Sequence, residues 1–313
     1  PNVHIDLPSI SPRDRLYLDF AVENRLDFIA HSFVRSGKDV EAVQGELDRR
    51  GSRIKIIAKI ENRSGVENID EILDTAYGVM VARGDLAIEM PFEMVPGIQK
   101  MLINKCIQRR KPVIIATQML HSMIHSPRPT RAEVSDVANA VLDGTDAMML
   151  SGETAAGRYP VEAVRIMAEL AIRTEASLRE YGYLQKILPN PSNRVTEAIA
   201  RYAVQMADSL EAAAVLSITD TGFTSRLVSK HRPDCPILAI TRSKLVARRL
   251  AMNWGVTPIR YDDGDDDEAK LVYALQEARR MGFVSAGDTV VVTSGYQQTT
   301  VGTDLIRVVT VEE

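Results

Sequence analysis

The stretch "KIIAKIEN", residues 55–62, is a β-branched apolar run that carries two ions, Lys59 and Glu61. Side chains alternate along a strand, so Lys59 and Glu61 share one face while Ala58 and Ile60 share the other. A run this apolar reads as a strand buried on both sides, which belongs to a parallel sheet covered by helices. Two ions near its C-terminal end point to the mouth of such a sheet, where parallel α/β folds build their sites.

Working outward, "DFIAHSF" (27–33), "YGVMVARGD" (77–85), "PVIIATQM" (112–119) and "DAMMLSGE" (146–153) are runs of the same kind. Between them, 37–50, 92–110 and 131–143 hold helix formers with apolar spacings of three and four. This rhythm predicts repeated βα units on a parallel sheet, open or closed into a barrel. A further helical stretch, 161–181, leads to the polar "LPNPSN" (188–193), which marks a boundary. The expected domains are therefore 1–187 and 188–313. In the second, "AAAVLSI" (212–218), "PILAIT" (236–241), "VTPIRY" (256–261), "DTVVVTSG" (288–295) and "LIRVVTV" (305–311) read as strands of a smaller α/β domain.

The bulk numbers narrow the function. The chain has 313 residues, 45% hydrophobic and 26% charged, with a net charge of −4. That balance offers no basic field for nucleic acid or for an anionic membrane surface. No apolar run approaches the ~18 residues of a membrane helix. Cys106 and Cys235 stand far apart, outside any CxxC, which suits a reducing, cytoplasmic setting.

The strand ends carry the chemistry. "ARGD" brings Arg83 and Asp85 to the end of the strand after "KIIAKIEN", with Gly84 allowing backbone amides to approach a ligand. Glu61 and Asp85, on adjacent strands, can share one hard cation, and Mg²⁺ keeps open positions when one or two protein carboxylates bind it. Lys59 would then face a metal-bound anion such as a phosphoryl group. The competing reading is a buried ion-pair network of Lys59, Glu61, Arg83 and Asp85. Thr117 and Gln118 end the next strand, and Ser151 and Glu153 follow the one after. A Thr standing alone there reads as a cap.

Three other motifs have competing readings. "SITDTGFTSR" (217–226) is strand, loop and helix start, where free amides favour phosphate, although taken alone it reads better as simple capping by Thr221 or Thr224. "DDGDDDE" (262–268) lacks the alternating ligands of a calcium loop and reads as a helix entry. "HSMIH" sets His121 and His125 at i, i+4 spacing, but Ser122 stands where a zinc protease needs Glu.

Together, "KIIAKIEN", "GVMVARGD", "KPVIIATQML" and "PRPTRAEVSDVANAVLDGTDAMMLSGETAAGRYPVEAV" resemble the pyruvate kinase family, and the second half resembles its regulatory domain. The resemblance implies an incomplete TIM (β/α)8-type barrel, about five of eight βα units, followed by a smaller α/β domain. It further implies a divalent cation, Mg²⁺ or Mn²⁺, on Glu61 and Asp85, and phosphoryl-group stabilisation by Lys59. Thr117 and the amides of Gly84 and Asp85 would hold the substrate carboxylate, with Thr117 positioned near the enolate. Phe33 and Arg83 would line the site, and Arg131 would brace the "ARGD" turn of a neighbouring subunit in a homotetramer. The substrates would be phosphoenolpyruvate and ADP, with K⁺ held by family segments unmatched here. Thr219, Thr221, Gly222, Thr224 and Ser225, with Gly302 of "SGYQQTTVGT" (294–303), would form an effector site for a sugar phosphate or nucleoside monophosphate. Ala87 and His121 depart from the family's usual residues. With three barrel strands and the lid unmatched, this chain alone is expected to be inactive. The rivals are a noncatalytic oligomerisation or effector-binding piece, and a Mg²⁺-dependent lyase or aldolase acting on a pyruvate enolate.

Overall fold

A computed structural model describes residues 9–181, 194–262, 264, 266–295 and 302–312. The chain divides into two compact units, Pro1–Gln185 and Lys186–Glu313. The boundary expected at 187/188 falls outside the described residues.

All ten expected strands form. In the first unit they are β1 (Phe28–His31), β2 (Lys55–Ile60), β3 (Gly78–Ala82), β4 (Val113–Ala116) and β5 (Ala147–Met149). They pair in parallel in sequence order, with His31 opposite Ala58, Ile60 opposite Val81 and Ala82 opposite Ala116. This is the arc of a barrel, with every C-terminal strand end on one rim. Among the described residues, β1 and β5 each pair on one side only. Ile56, Ile57, Ala58 and Ile60 are all buried, as a strand covered on both faces requires.

Helices follow each strand, and their ends are chemically marked. Thr130 caps Arg131–Leu142 in a capping box with Glu133. Burial alone would raise the Glu133 carboxyl, but its hydrogen bonds to Ser122 and Thr130 outweigh that and hold it below the usual carboxylate range. Two expectations need correction. Arg83 and Asp85 do not extend β3: the strand stops at Ala82 and a helix, Arg83–Glu89, begins at once. The Thr117 hydroxyl accepts the Gly84 N–H, an otherwise orphaned donor of that first turn, and so permits the abrupt start. His121 and His125 do not share an α-helical face either, because His121–Ile124 winds as a 3₁₀ helix that His125 terminates.

The second unit contains β6 (Ala214–Ile218), β7 (Ile237–Thr241), β8 (Val256–Arg260), β9 (Thr289–Ser294) and β10 (Leu305–Thr310). Their order is β10-β9-β6-β7-β8, parallel except for β10 against β9. Alternate residues feed two cores. Val215, Ile237 and Val291 pack with Ala200, Ala203 and Leu227 of the helices Arg194–Ser209 and Phe223–Lys230. Leu216, Leu238 and Val292 pack with Leu271 and Ala274 of Asp267–Arg280. Asp266 caps that last helix, so the acidic run is a helix entry as read, with residues 263 and 265 outside the described set. The chain leaves β6 toward β7 and returns at β9 on the other side, which makes a topological switch point between β6 and β9.

Candidate active site

The rim of the first unit gathers the residues singled out in the sequence. At the end of β2, Lys59 Nζ lies 2.8 Å from Glu61 Oε1. Glu61 is 1% exposed, and its Oε2 accepts the Phe33 N–H at 2.6 Å. Phe33, in the turn after β1, has φ of 54° and an exposed ring. The left-handed backbone there is unusual for an aromatic residue, and it lets the amide meet the carboxylate. Lys59 also donates to Ser32 Oγ at 2.9 Å.

Val34 anchors this turn. It is fully buried, and Asn62 Nδ2 donates to its carbonyl at 3.4 Å. A Cβ added to Gly65 would lie 2.5 Å from that same carbonyl, so glycine is what allows the close approach. Asn62 also caps Arg63–Glu67 through the Gly65 N–H at 2.8 Å.

In the first turn of the helix after the neighbouring strand, the half-buried Asp85 has no hydrogen-bond or ion-pair partner among the described residues. Arg83 finds its closest partners on the next βα unit. It donates to Asp136 Oδ1 at 2.7 Å and to the Thr117 carbonyl at 2.8 Å, and it touches Met119 Sδ at 2.9 Å. The four charges do not form one network: Lys59 pairs with Glu61, Arg83 with Asp136, and Asp85 with neither.

Thr117 and Gln118 both have positive φ, 69° and 55°. Arg83 holds this strained turn at the Thr117 carbonyl, and the buried Glu153 holds it by accepting the Leu120 N–H at 3.1 Å and the Ser151 N–H at 2.8 Å. Thr117 Oγ1 accepts the Gly84 N–H at 2.8 Å and donates to the Ala116 carbonyl at 2.6 Å. The Gly84 amide is therefore already occupied. Arg131 is exposed at the start of its helix.

The local sequence does not mark Ser32, Asp136 or Glu153 as site residues. Glu153 stood out only as a polar strand tip, and Asp136 lies 53 residues from the Arg83 it binds.

Two carboxylates with spare lone pairs, beside an ammonium on a rim of parallel strand ends, suit an oxyanion held next to a hard cation. Similarity to known proteins shows the family. The family model described as pyruvate kinase, barrel domain, matches residues 1–164, and that described as pyruvate kinase, alpha/beta domain, matches 197–309. A pyruvate kinase of Geobacillus stearothermophilus is 49% identical over 94% of this chain and 50% of its own length. One of Clostridium acetobutylicum is 45% identical over 100% of this chain and 66% of its own. Pyruvate kinase 2 of Saccharomyces cerevisiae is 45% identical over 99% and 63%. The chain belongs to the pyruvate kinase family. It spans between 50% and 66% of the length of these curated relatives.

In the second unit the expected effector residues gather at the switch point. Thr219 Oγ1 accepts the Gly222 N–H at 3.0 Å, and Ser225 Oγ donates to Ser217 Oγ at 3.0 Å. Thr224 and Thr303 share a buried hydroxyl–hydroxyl bond, which joins the loop after β6 to the one after β9. Gly222 has φ of 78°, and a Cβ there would press on Leu250 and Val246. Thr221 and Gly302 are exposed, while residues 296–301 of the second loop lie outside the described set. Among the described residues, no cluster of three or more metal-ligating side chains occurs, and no helix is long and apolar enough to cross a membrane.

Proposed function

We propose that the protein carrying this chain transfers the phosphoryl group of phosphoenolpyruvate to ADP, giving pyruvate and ATP. The observation that carries this reading is the Lys59–Glu61 pair at 2.8 Å on the rim, one strand away from an Asp85 carboxylate with no internal partner. Glu61 keeps free lone pairs after its two contacts, so it and Asp85 fit a two-carboxylate seat for Mg²⁺ or Mn²⁺. When bound, that cation supplies charge neutralisation at the phosphoryl and enolate oxygens.

The chain's own groups position and stabilise. Lys59 places a positive charge where the transferred phosphoryl group is most anionic, and phosphoryl transfer depends chiefly on such electrostatic preorganisation. Thr117, Gly84 and Asp85 form the seat for the substrate carboxylate. The Gly84 amide reaches it only if the Thr117 hydroxyl yields its bond or shares it. Phe33 flanks the pocket. Arg83, tied to Asp136 and to the Thr117 carbonyl, acts from beneath by holding the turn in place.

The wider assignments rest on family membership. They are K⁺ dependence through segments unmatched here, a homotetramer with Arg131 at a subunit contact, and a phosphorylated effector on Thr219, Thr221, Gly222, Thr224, Ser225 and Gly302. The β6/β9 switch point supports the effector site. The free thiols Cys106 and Cys235 support a cytoplasmic setting. The gap between the two family matches, 164 to 197, supports a domain boundary at 187/188. The one-sided pairing of β1 and β5 supports inactivity of the 313-residue chain by itself.

The test is pyruvate formation by the full-length protein with and without Lys59→Met. Turnover should fall by about 10³-fold or more, with a far smaller change in substrate KM. Phosphoryl transfer at near wild-type rate in the variant would remove the assignment.

A further inference from the structure

Ser32 occupies the first position after β1, next to the Phe33 turn that binds Glu61. Its Oγ accepts from Lys59 Nζ at 2.9 Å, while Glu61 Oε1 forms an ion pair with the same nitrogen at 2.8 Å. An ammonium has three donors, so with one directed at Ser32 and the charge held by Glu61, donors remain for an incoming anion. One short turn thus grips both members of the pair: Ser32 holds the lysine and the Phe33 amide holds the carboxylate. The turn is in turn held by the buried Val34 and its close contact at Gly65. Ser32 itself is exposed, so its side chain fills no core space.

Lysine has four rotatable side-chain bonds, and a single partner would leave its head free to swing about that contact. A divalent cation on Glu61 would also weaken the attraction between that carboxylate and Lys59. The neutral hydroxyl keeps its hold regardless of that charge.

We propose that Ser32 is a positioning residue for phosphoryl transfer, acting through Lys59 by fixing the direction of its ammonium. This rests on the phosphoryl-transfer reading above. Removing the hydroxyl should affect the transition state more than substrate binding, because aim matters most where charge develops.

The experiment uses the full-length protein. Ser32→Ala should lower kcat by about 10- to 100-fold while KM for phosphoenolpyruvate stays within about threefold. Ser32→Thr, which keeps the hydroxyl, should recover most of the loss. In a Lys59→Met background Ser32→Ala should have no further effect, since groups acting as one unit are non-additive. An undiminished kcat in Ser32→Ala, a change confined to KM, or a fully additive loss in the double variant would overturn the proposal.

A second measurement needs no turnover. Labelling of Lys59 by trinitrobenzenesulfonate, read by peptide mass spectrometry, should run about threefold faster or more in Ser32→Ala, because a lysine head released from the hydroxyl samples more exposed positions. Ser32→Thr should restore the slow rate, and equal rates in all three proteins would overturn the proposal. If the wild type makes no pyruvate, the functional reading fails by itself, and the labelling rates still decide the role of Ser32.

Discussion

At the end of β2 an ammonium meets a carboxylate, and the next strand end offers a second carboxylate with no partner of its own. At the end of β6 hydroxyls meet hydroxyls instead: Thr224 with Thr303, and Ser225 with Ser217. The first rim keeps a carboxylate without a partner and unused lone pairs. The second has spent most of its side-chain hydroxyls on internal bonds, leaving the exposed Thr221 and backbone amides for an anion. A site that must stabilise a transition state keeps fixed charge in reserve, whereas a site that senses a ligand can trade internal bonds for external ones.

Gly65→Ala tests the charged side of this comparison most severely. The new Cβ would sit 2.5 Å from the Val34 carbonyl, and a backbone group cannot step aside cheaply. Ala is the better helix former by about 1 kcal/mol, so any net destabilisation reports the contact itself. We expect a net loss of about 1–3 kcal/mol in chemical unfolding and a drop in kcat as the Ser32–Phe33 turn shifts. Stabilisation with unchanged turnover would show that the turn is not held this way.

The hydroxyl side should respond more mildly and with a different signature. Thr303→Val strands the buried Thr224 hydroxyl and should cost about 1 kcal/mol in urea unfolding. Adding Thr224→Val should bring stability back close to wild type, because removing both partners leaves nothing unsatisfied. If the double variant loses as much as the single, the shared hydroxyl bond is not what joins the two loops.

Much of this architecture could be read from the sequence, for identifiable reasons. The strands announce themselves as Val/Ile runs because both faces of a parallel sheet are buried, and "KIIAKIEN" placed its two ions on one face by simple alternation. Contacts distant in the chain left no such trace. Arg83 follows an apolar strand, and nothing near it in the sequence announces its partner Asp136, on a helix 53 residues later. Nothing local in "ARGD" announces that its helix begins immediately, since the acceptor that allows it, Thr117 Oγ1, belongs to the next βα unit. The helix Pro12–Glu23 went unread: Leu16, Tyr17 and Phe20 are exposed, and only Leu18 and Ala21 are buried. Ser32 was overlooked because a serine after a strand is ordinary until a lysine from the adjacent strand is seen to donate to it.

The central claim is that Glu61 and Asp85 together seat one divalent cation beside Lys59. It is tested most directly by Mn²⁺ binding to the full-length protein, followed by electron paramagnetic resonance of the free ion, for wild type, Glu61→Gln and Asp85→Asn. Each substitution should weaken Mn²⁺ binding by more than about tenfold, since even the loss of an outer partner of a metal ligand costs that much. Mn²⁺ affinity unchanged in either variant would contradict the shared seat.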